Sequence, residues 1–171
     1  MEKQTINLPN LGDVHYNYNS IIIFPDGLIG FEQHIKYVMF EKEEYRPFKW
    51  LVSLEQPRII FNIIEPVHFW ENYHVAIPEA ALGNIDISNV ATARIYTIVT
   101  IDENKKSVTA NLASPIIINN KNRLGKQVIL EKSAYPVRYN VLNHRMDRKQ
   151  SQGRQNNVNS YTQTEPVPQY R

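Results

Sequence analysis

The sequence predicts an all-β fold: a small antiparallel domain, closed or nearly closed into a barrel, with one or two short helical turns. Three observations lead there. The apolar segments between Thr5 and Leu130 are short and rich in Ile, Val, Phe and Tyr. Pro, Gly, Asn and Asp separate them at the intervals of an antiparallel all-β chain. So many strands in so few residues would leave long apolar edges exposed unless the sheet closed on itself or doubled.

Taken in order, strands are expected at Thr5 to Leu8, Val14 to Phe24, Lys36 to Phe40, Phe48 to Leu54, Ile59 to Ile64 and Tyr73 to Ile77. Further strands follow at Ala91 to Ile101, Ser107 to Leu112, Ile116 to Asn119 and Lys126 to Glu131. Val108, Ala110 and Leu112 alternate with Ser107, Thr109 and Asn111, the period-two signature of a strand with one face inward. Pro115 removes a ladder donor, and Ile116, Ile117 and Ile118 are apolar on both faces, so that strand starts at an edge and passes into the core. Asn119 to Arg123 reads as a turn, and Asp102 to Ser107 as a polar hairpin loop. A helical turn is expected at Pro78 to Leu82, where Pro opens, Glu follows early and Gly83 stops it. A second turn is expected within Asp26 to His34.

The chain has 171 residues and no cysteine, which excludes a disulfide framework and any thiolate metal site. Its start, MEKQTINLPN, has no basic segment leading into an apolar one, and no apolar run is long enough to span a bilayer. A cytoplasmic protein is expected, with no membrane partner. The net charge of +2 is unevenly placed. Residues 1–133 hold 13 Lys or Arg against 15 Asp or Glu, while residues 134–171 hold 6 against 2. The body is mildly acidic and the end of the chain is basic. Two units are therefore expected, a β-barrel domain over 1–142 and a basic polar tail over 143–171 too poor in aliphatic residues to offset its ordering entropy.

Few residues carry the signs of chemistry. His68 and His74 bracket Glu71, but on a strand they would stand ~20 Å apart at ~3.3 Å per residue, too far to share an ion. No nucleophile elbow, zinc spacing or phosphate-binding glycine loop occurs. Neither a cofactor nor a catalytic residue is expected. Gly27 and Gly30 in PDGLIGF read as backbone geometry: a turn with positive φ that returns Phe24, Leu28 and Phe31 to the core, or a surface shaped for a partner. Phe69, Trp70 and Tyr73 form an aromatic cluster that suits core packing or a partner anchor. Asn111, Asn119 and Gln127 either satisfy backbone groups at strand ends or present amides to an incoming chain.

Three stretches carry a resemblance. TANLASPIIINNKNRLGKQVIL resembles the T-x-N-L-x-A/S-P-I-x-x-N signature, basic turn and Q-V-I/V-L of the FliW family. IIIFPDGLIGFEQHIKYVMF, from Ile21, resembles that family's I-x-F-x-x-G-I/L-x-G-F motif, and FKWLVSLEQPRIIFNIIEP, from Phe48, is similar to its next block. The match runs from about Thr5 to Val141 and is specific as a set. The resemblance implies a compact β-barrel-like domain and a non-enzymatic flagellar assembly factor with two protein partners. These are flagellin, bound in the cytoplasm, and the translational regulator CsrA, which it antagonises, so that flagellin synthesis follows flagellin secretion.

Taken together, the residues expected to meet a partner are Phe24, Gly27, Gly30, Phe31, Glu65, Phe69, Tyr73, Asn111, Pro115, Asn119 and Gln127. The alternative is a ligand-binding or enzymatic barrel, which would need an open polar lumen rather than one filled by Ile, Val, Leu and Phe. Direct RNA binding would need exposed aromatics beside basic residues, which Arg94 to Val99 offers in part. No nucleic-acid partner is expected of the body; Arg145, Arg148, Lys149 and Arg154 make the tail either an inert extension or a weak attractor of RNA.

Overall fold

A computed structural model describes residues 3–9, 11–75, 77, 82–87, 93–131 and 133–142. Eleven strands are seen in it: β1 (Lys3–Leu8), β2 (Gly12–Asn17), β3 (Ile22–Ile23), β4 (Lys36–Phe40), β5 (Lys49–Ser53), β6 (Ile60–Ile64), β7 (Ala93–Asp102), β8 (Ser107–Ala110), β9 (Ile116–Asn119), β10 (Leu124–Gln127) and β11 (Tyr139–Asn140). Short 3₁₀ turns lie between them at Tyr18–Ser20, Glu43–Tyr45, Pro66–His68 and Gly83–Ile85.

The sheet closes. β7, β6, β5, β4, β3, β10 and β9 follow one another by hydrogen bonding, and β9 pairs back onto β7, completing a seven-strand ring. β7 makes closure possible through its length of ten residues. On one edge Ala93 to Tyr96 pair with β9, and further along that edge Val99 to Asp102 pair with β8. β8, carrying β11, therefore leaves the ring as a flap. All pairings are antiparallel except β10 with β3, a single parallel step at Leu124 and Ile23 supported by the Ile23 N–H donating to the Arg123 carbonyl at 2.9 Å. The β1–β2 hairpin packs outside, where Leu8 and Val14 bury against Val38, Trp50 and Val52.

Inside the ring Ile22, Phe24, Leu28, Tyr37, Leu51, Ile63, Tyr96, Ile116 and Ile118 are almost fully buried and fill the interior. Phe24 meets Tyr37 edge to face at 5.3 Å, and the partly buried Phe31 and Phe61 packed against this core do so at 5.1 Å, the arrangement that aromatic quadrupoles favour. Gly125 faces this core, and a Cβ there would lie 2.6 Å from the Phe24 ring. Glycine is the residue that lets β10 close over Phe24.

Three expectations need correction. Val14 to Phe24 is two strands, because Ser20 donates its hydroxyl to the Asn17 carbonyl and accepts the Asn17 N–H, turning the chain at 18–20. Tyr73 to Val75 and Ile77 form no strand: both backbone groups of His74 bond the Tyr135 hydroxyl, so a side chain takes the place of a neighbouring strand. The last long strand is Leu124–Gln127 rather than Lys126 to Glu131. Beyond it Val128 and Leu130 bond the carbonyls of Pro115 and Ala113 in a bent segment outside the ladder. The turn expected within residues 26–34 is present as a run of hydrogen-bonded turns. β11 is an addition, too short to signal itself by periodicity. Pro78 to Ala81 of the expected helical turn, and the tail over 143–171, lie outside the described residues. No helix among the described residues is long and apolar enough to cross a membrane.

Candidate functional site: a groove at one end of the barrel

Alternating strand directions give the barrel two ends. The last residues of β3, β5 and β10 and the first of β4, β6 and β9 meet at one, beside Ile98 and Thr100 of β7. Phe40, Lys49, Ile64, Arg94 and Asn119 stand at the other.

At the first end the chain leaves β3 through Phe24 and returns to β4 in a tight double turn. Gly27 and Gly30 adopt φ of +67° and +81°, and a Cβ on Gly27 would lie 2.5 Å from the Glu32 backbone. The turn drives Leu28 into the core and packs Phe31 against it, leaving Ile29 outside. Gln127 then fastens the turn: its side-chain oxygen accepts the Ile29 N–H at 3.0 Å and its amide donates to the Ser114 carbonyl at 3.3 Å. One amide thus joins the 24–31 turn, β10 and the Pro115 segment. Below, Lys126 Nζ and Asn84 Nδ2 both bond the Asp26 carboxylate, at 3.2 and 2.6 Å. The Lys126 bond leads in holding the Asp26 carboxyl below the usual carboxylate range, with the Asn84 bond second.

These elements enclose an open groove of about 460 Å³. Ile29, Ile98, Ile129 and Val137 give it apolar walls; Thr100, Thr109, Asn111, Ser114 and Gln127 add polar groups, and Arg138 is the one charged side chain in its lining. Ile29, Ile129 and Val137 are 49, 61 and 62% exposed, so three of the exposed aliphatic side chains among the described residues converge here. Asn111 spends its side-chain oxygen on the Ala113 N–H at 3.1 Å.

The opposite end carries paired charges. Arg46 and Lys49 both pair with Glu41, at 3.0 and 3.4 Å, and Arg94 reaches Glu65 at 3.2 Å. Lys49 lies 5.7 Å over the Tyr96 ring. Burial, more than the nearby Glu65 charge, pushes the Tyr96 hydroxyl up to about 12.

The structure therefore divides the residues singled out in the sequence. Phe24, Gly27, Gly30, Phe31, Pro115 and Gln127 come together at the groove end, with Asn111 in the groove wall. Glu65 stands at the charged end. Asn119 is there too and buried, donating to the carbonyls of Ile85 and Asp86 and accepting the Lys121 N–H. Phe69 and Tyr73 belong to a second core beneath the β8 flap. Phe69 stacks on Tyr139 at 5.6 Å, and the Tyr73 hydroxyl donates to the Leu112 carbonyl at 2.6 Å. Burial raises the Tyr73 pKa first, with Tyr135 adding to it. Sequence reasoning missed Ile29, Ile129, Val137 and Arg138. For Ile129 a signal existed, since Val128 and Leu130 flank it as inward residues; a lone Arg in an irregular segment gives none.

Among the described residues no group of three His, Asp or Glu side chains is placed to hold a metal ion. Fold and groove define a β-barrel with a packed interior and an open groove on its rim. The family model described as FliW protein matches residues 5–141. The flagellar assembly factor FliW of Natranaerobius thermophilus is 40% identical over 139 residues, covering 81% of this chain and 92% of the relative. That of Leptospira biflexa is 36% identical over 139 residues, covering 81 and 91%. A crystal structure of the flagellar assembly factor FliW superposes with a TM-score of 0.74 at 30% identity, covering 81% of this chain and 96% of that one. The chain belongs to the FliW family.

Proposed function

We propose that this protein is a cytoplasmic, non-enzymatic flagellar assembly factor. It binds flagellin and antagonises CsrA, so that flagellin accumulating in the cell occupies it and frees CsrA to repress flagellin synthesis. The control is linkage between competing binding equilibria and needs no covalent step. Membership of the FliW family supports this reading, since the relatives carry the name of flagellar assembly factors.

The observation that carries the docking mode is the contrast between a filled interior and an open rim. Phe24, Tyr37, Ile63 and Ile116 occupy the space that a small ligand or a reacting centre would use, which argues against the ligand-binding alternative. Exposed aliphatic side chains on a rigid rim suit an incoming polypeptide. We assign partner contact first to the groove end, where Phe24, Gly27, Gly30, Phe31, Pro115 and Gln127 set the shape that Ile29 and Asn111 display. Glu65, Phe69, Tyr73 and Asn119 are assigned to holding the fold. The domain is taken to end near residue 142, with 143–171 as an appended tail.

The test is co-purification. Tagged full-length chain expressed in its native cytoplasm should retain flagellin and CsrA, and Ile129→Ser with Val137→Ser should lose at least one of them while the melting temperature stays near the parent value. Recovery of neither protein by the parent chain refutes the proposal.

A further inference from the structure

We infer that the rim groove receives an extended, aliphatic-rich polypeptide segment carrying a side-chain carboxylate, which pairs with Arg138. This rests on the reading that the chain docks other polypeptides and names the chemistry of one such segment.

Backbone geometry argues for an extended occupant. The β6–β7 ladder begins only at Asn62 and Val99, so the β6-facing edge of Thr100, Ile101 and Asp102 has no ladder partner among the described residues. β8 holds only the opposite edge. An unpaired strand edge supplies evenly spaced donors and acceptors to an added strand. Thr100 stands on that edge and in the groove wall at once, so the edge borders the groove on one side and Arg138, beyond β8, borders it on the other. An extended segment crossing the groove would bond the edge at one point and bring a side chain to Arg138 at the other.

Charge complementarity defines the rest. The walls are aliphatic, and Arg138 forms no ion pair or hydrogen bond with any described residue. Thr100 and Thr109 likewise direct their hydroxyls to no described partner, so the lining leaves hydrogen-bond donors unspent beside a cation. An Asp or Glu flanked by aliphatic residues meets both requirements, and a guanidinium at the edge of an apolar wall binds a carboxylate in a fixed fork. A basic segment would set like charge against Arg138. Although the body is acidic overall, this groove selects an acidic segment.

The experiment is selection of a random peptide library displayed on phage against the full-length chain, followed by binding of the strongest peptide, acetylated and amidated so that only its side chains carry charge. The expected peptide has at least two aliphatic residues and an Asp or Glu between or beside them. Its affinity should fall at least about tenfold with Arg138→Glu, and its Glu→Lys version should recover binding to that variant alone. Val137→Asp should weaken binding as well, while Glu41→Gln at the far end leaves it unchanged. No enrichment, a selected peptide without acid, an affinity indifferent to Arg138→Glu, or dependence on a free chain terminus would each overturn the inference. Its failure is separable from that of the proposed function. If flagellin is retained but the peptide ignores Arg138, this inference falls alone; if flagellin is never retained, the peptide result still stands.

Discussion

The two ends of the barrel solve the same problem in opposite ways. Each must finish seven strands whose interior is apolar. At the charged end, Glu41 pairs with both Arg46 and Lys49 and Glu65 pairs with Arg94, while Asn119 ties down the backbone of Ile85 and Asp86. Polar groups there are spent within the chain. At the groove end, Gln127 and the Gly27–Gly30 turn spend just enough hydrogen bonding to fix the shape, leaving Ile29, Ile129, Val137 and Arg138 uncommitted. The difference separates a finished surface from an unfinished one, and an unfinished surface has free energy left to give to a partner.

The largest expected effect breaks the core that both ends share. Phe24→Ala removes a fully buried ring and leaves a void over Gly125, which should cost ~3–5 kcal/mol in urea denaturation. A loss under ~1 kcal/mol would show that the ring is not the plug between the ends. Next, Gln127→Ala strips partners from the Ile29 N–H and the Ser114 carbonyl. A cost of ~1–2 kcal/mol is expected, together with faster exchange of the Ile29 amide hydrogen than of amides in β4 and β5. Uniform acceleration across the barrel would mean that the turn is not separately fastened.

At the charged end the same kind of change should matter less. Glu65→Gln leaves a half-exposed Arg94 to water, so its cost should stay below ~1 kcal/mol and shrink in salt. A larger, salt-insensitive loss would make that end a structural keystone. The smallest effect is a pH dependence. The Asp26 carboxyl titrates lower in the folded chain than its ordinary 3.8, chiefly through Lys126. Its contribution is therefore complete above that value and is lost as pH falls below it. Since Asp26 is 59% exposed, screening holds this to under ~0.5 kcal/mol. Lys126→Met should remove that part of the acid limb of a stability curve, and an identical limb in the variant would remove Asp26 from the account.

What the sequence made legible follows the periodic residues. Strands such as Lys36–Phe40 and Ile116–Asn119 announce themselves by β-branched and aromatic content, and Gly27 and Gly30 by the turn that only positive φ allows. Closure was legible only as a need to hide edges; the parallel step at Leu124 and Ile23 has no local signal because it joins segments a hundred residues apart. Tyr73 to Ile77 misled because alternating apolar residues do not reveal that a tyrosine hydroxyl, brought from position 135, will take the backbone bonds of His74. The amides divided in the same manner. Asn119 and Gln127 were recognisable as residues in need of partners, while their partners at 29, 85, 86 and 114 came from tertiary structure. Arg138 was silent, since an isolated cation gains meaning only from the apolar walls around it.

The most direct test compares the two ends in one titration, with calorimetry of purified flagellin into the full-length chain and into two variants of matched thermal stability. Ile129→Ser with Val137→Ser alters the groove end, and Glu41→Gln with Glu65→Gln alters the charged end. The account predicts that the groove variant loses at least about tenfold in affinity while the charged-end variant stays within about threefold of the parent. Full affinity in the groove variant, or a loss confined to the charged-end variant, would contradict it.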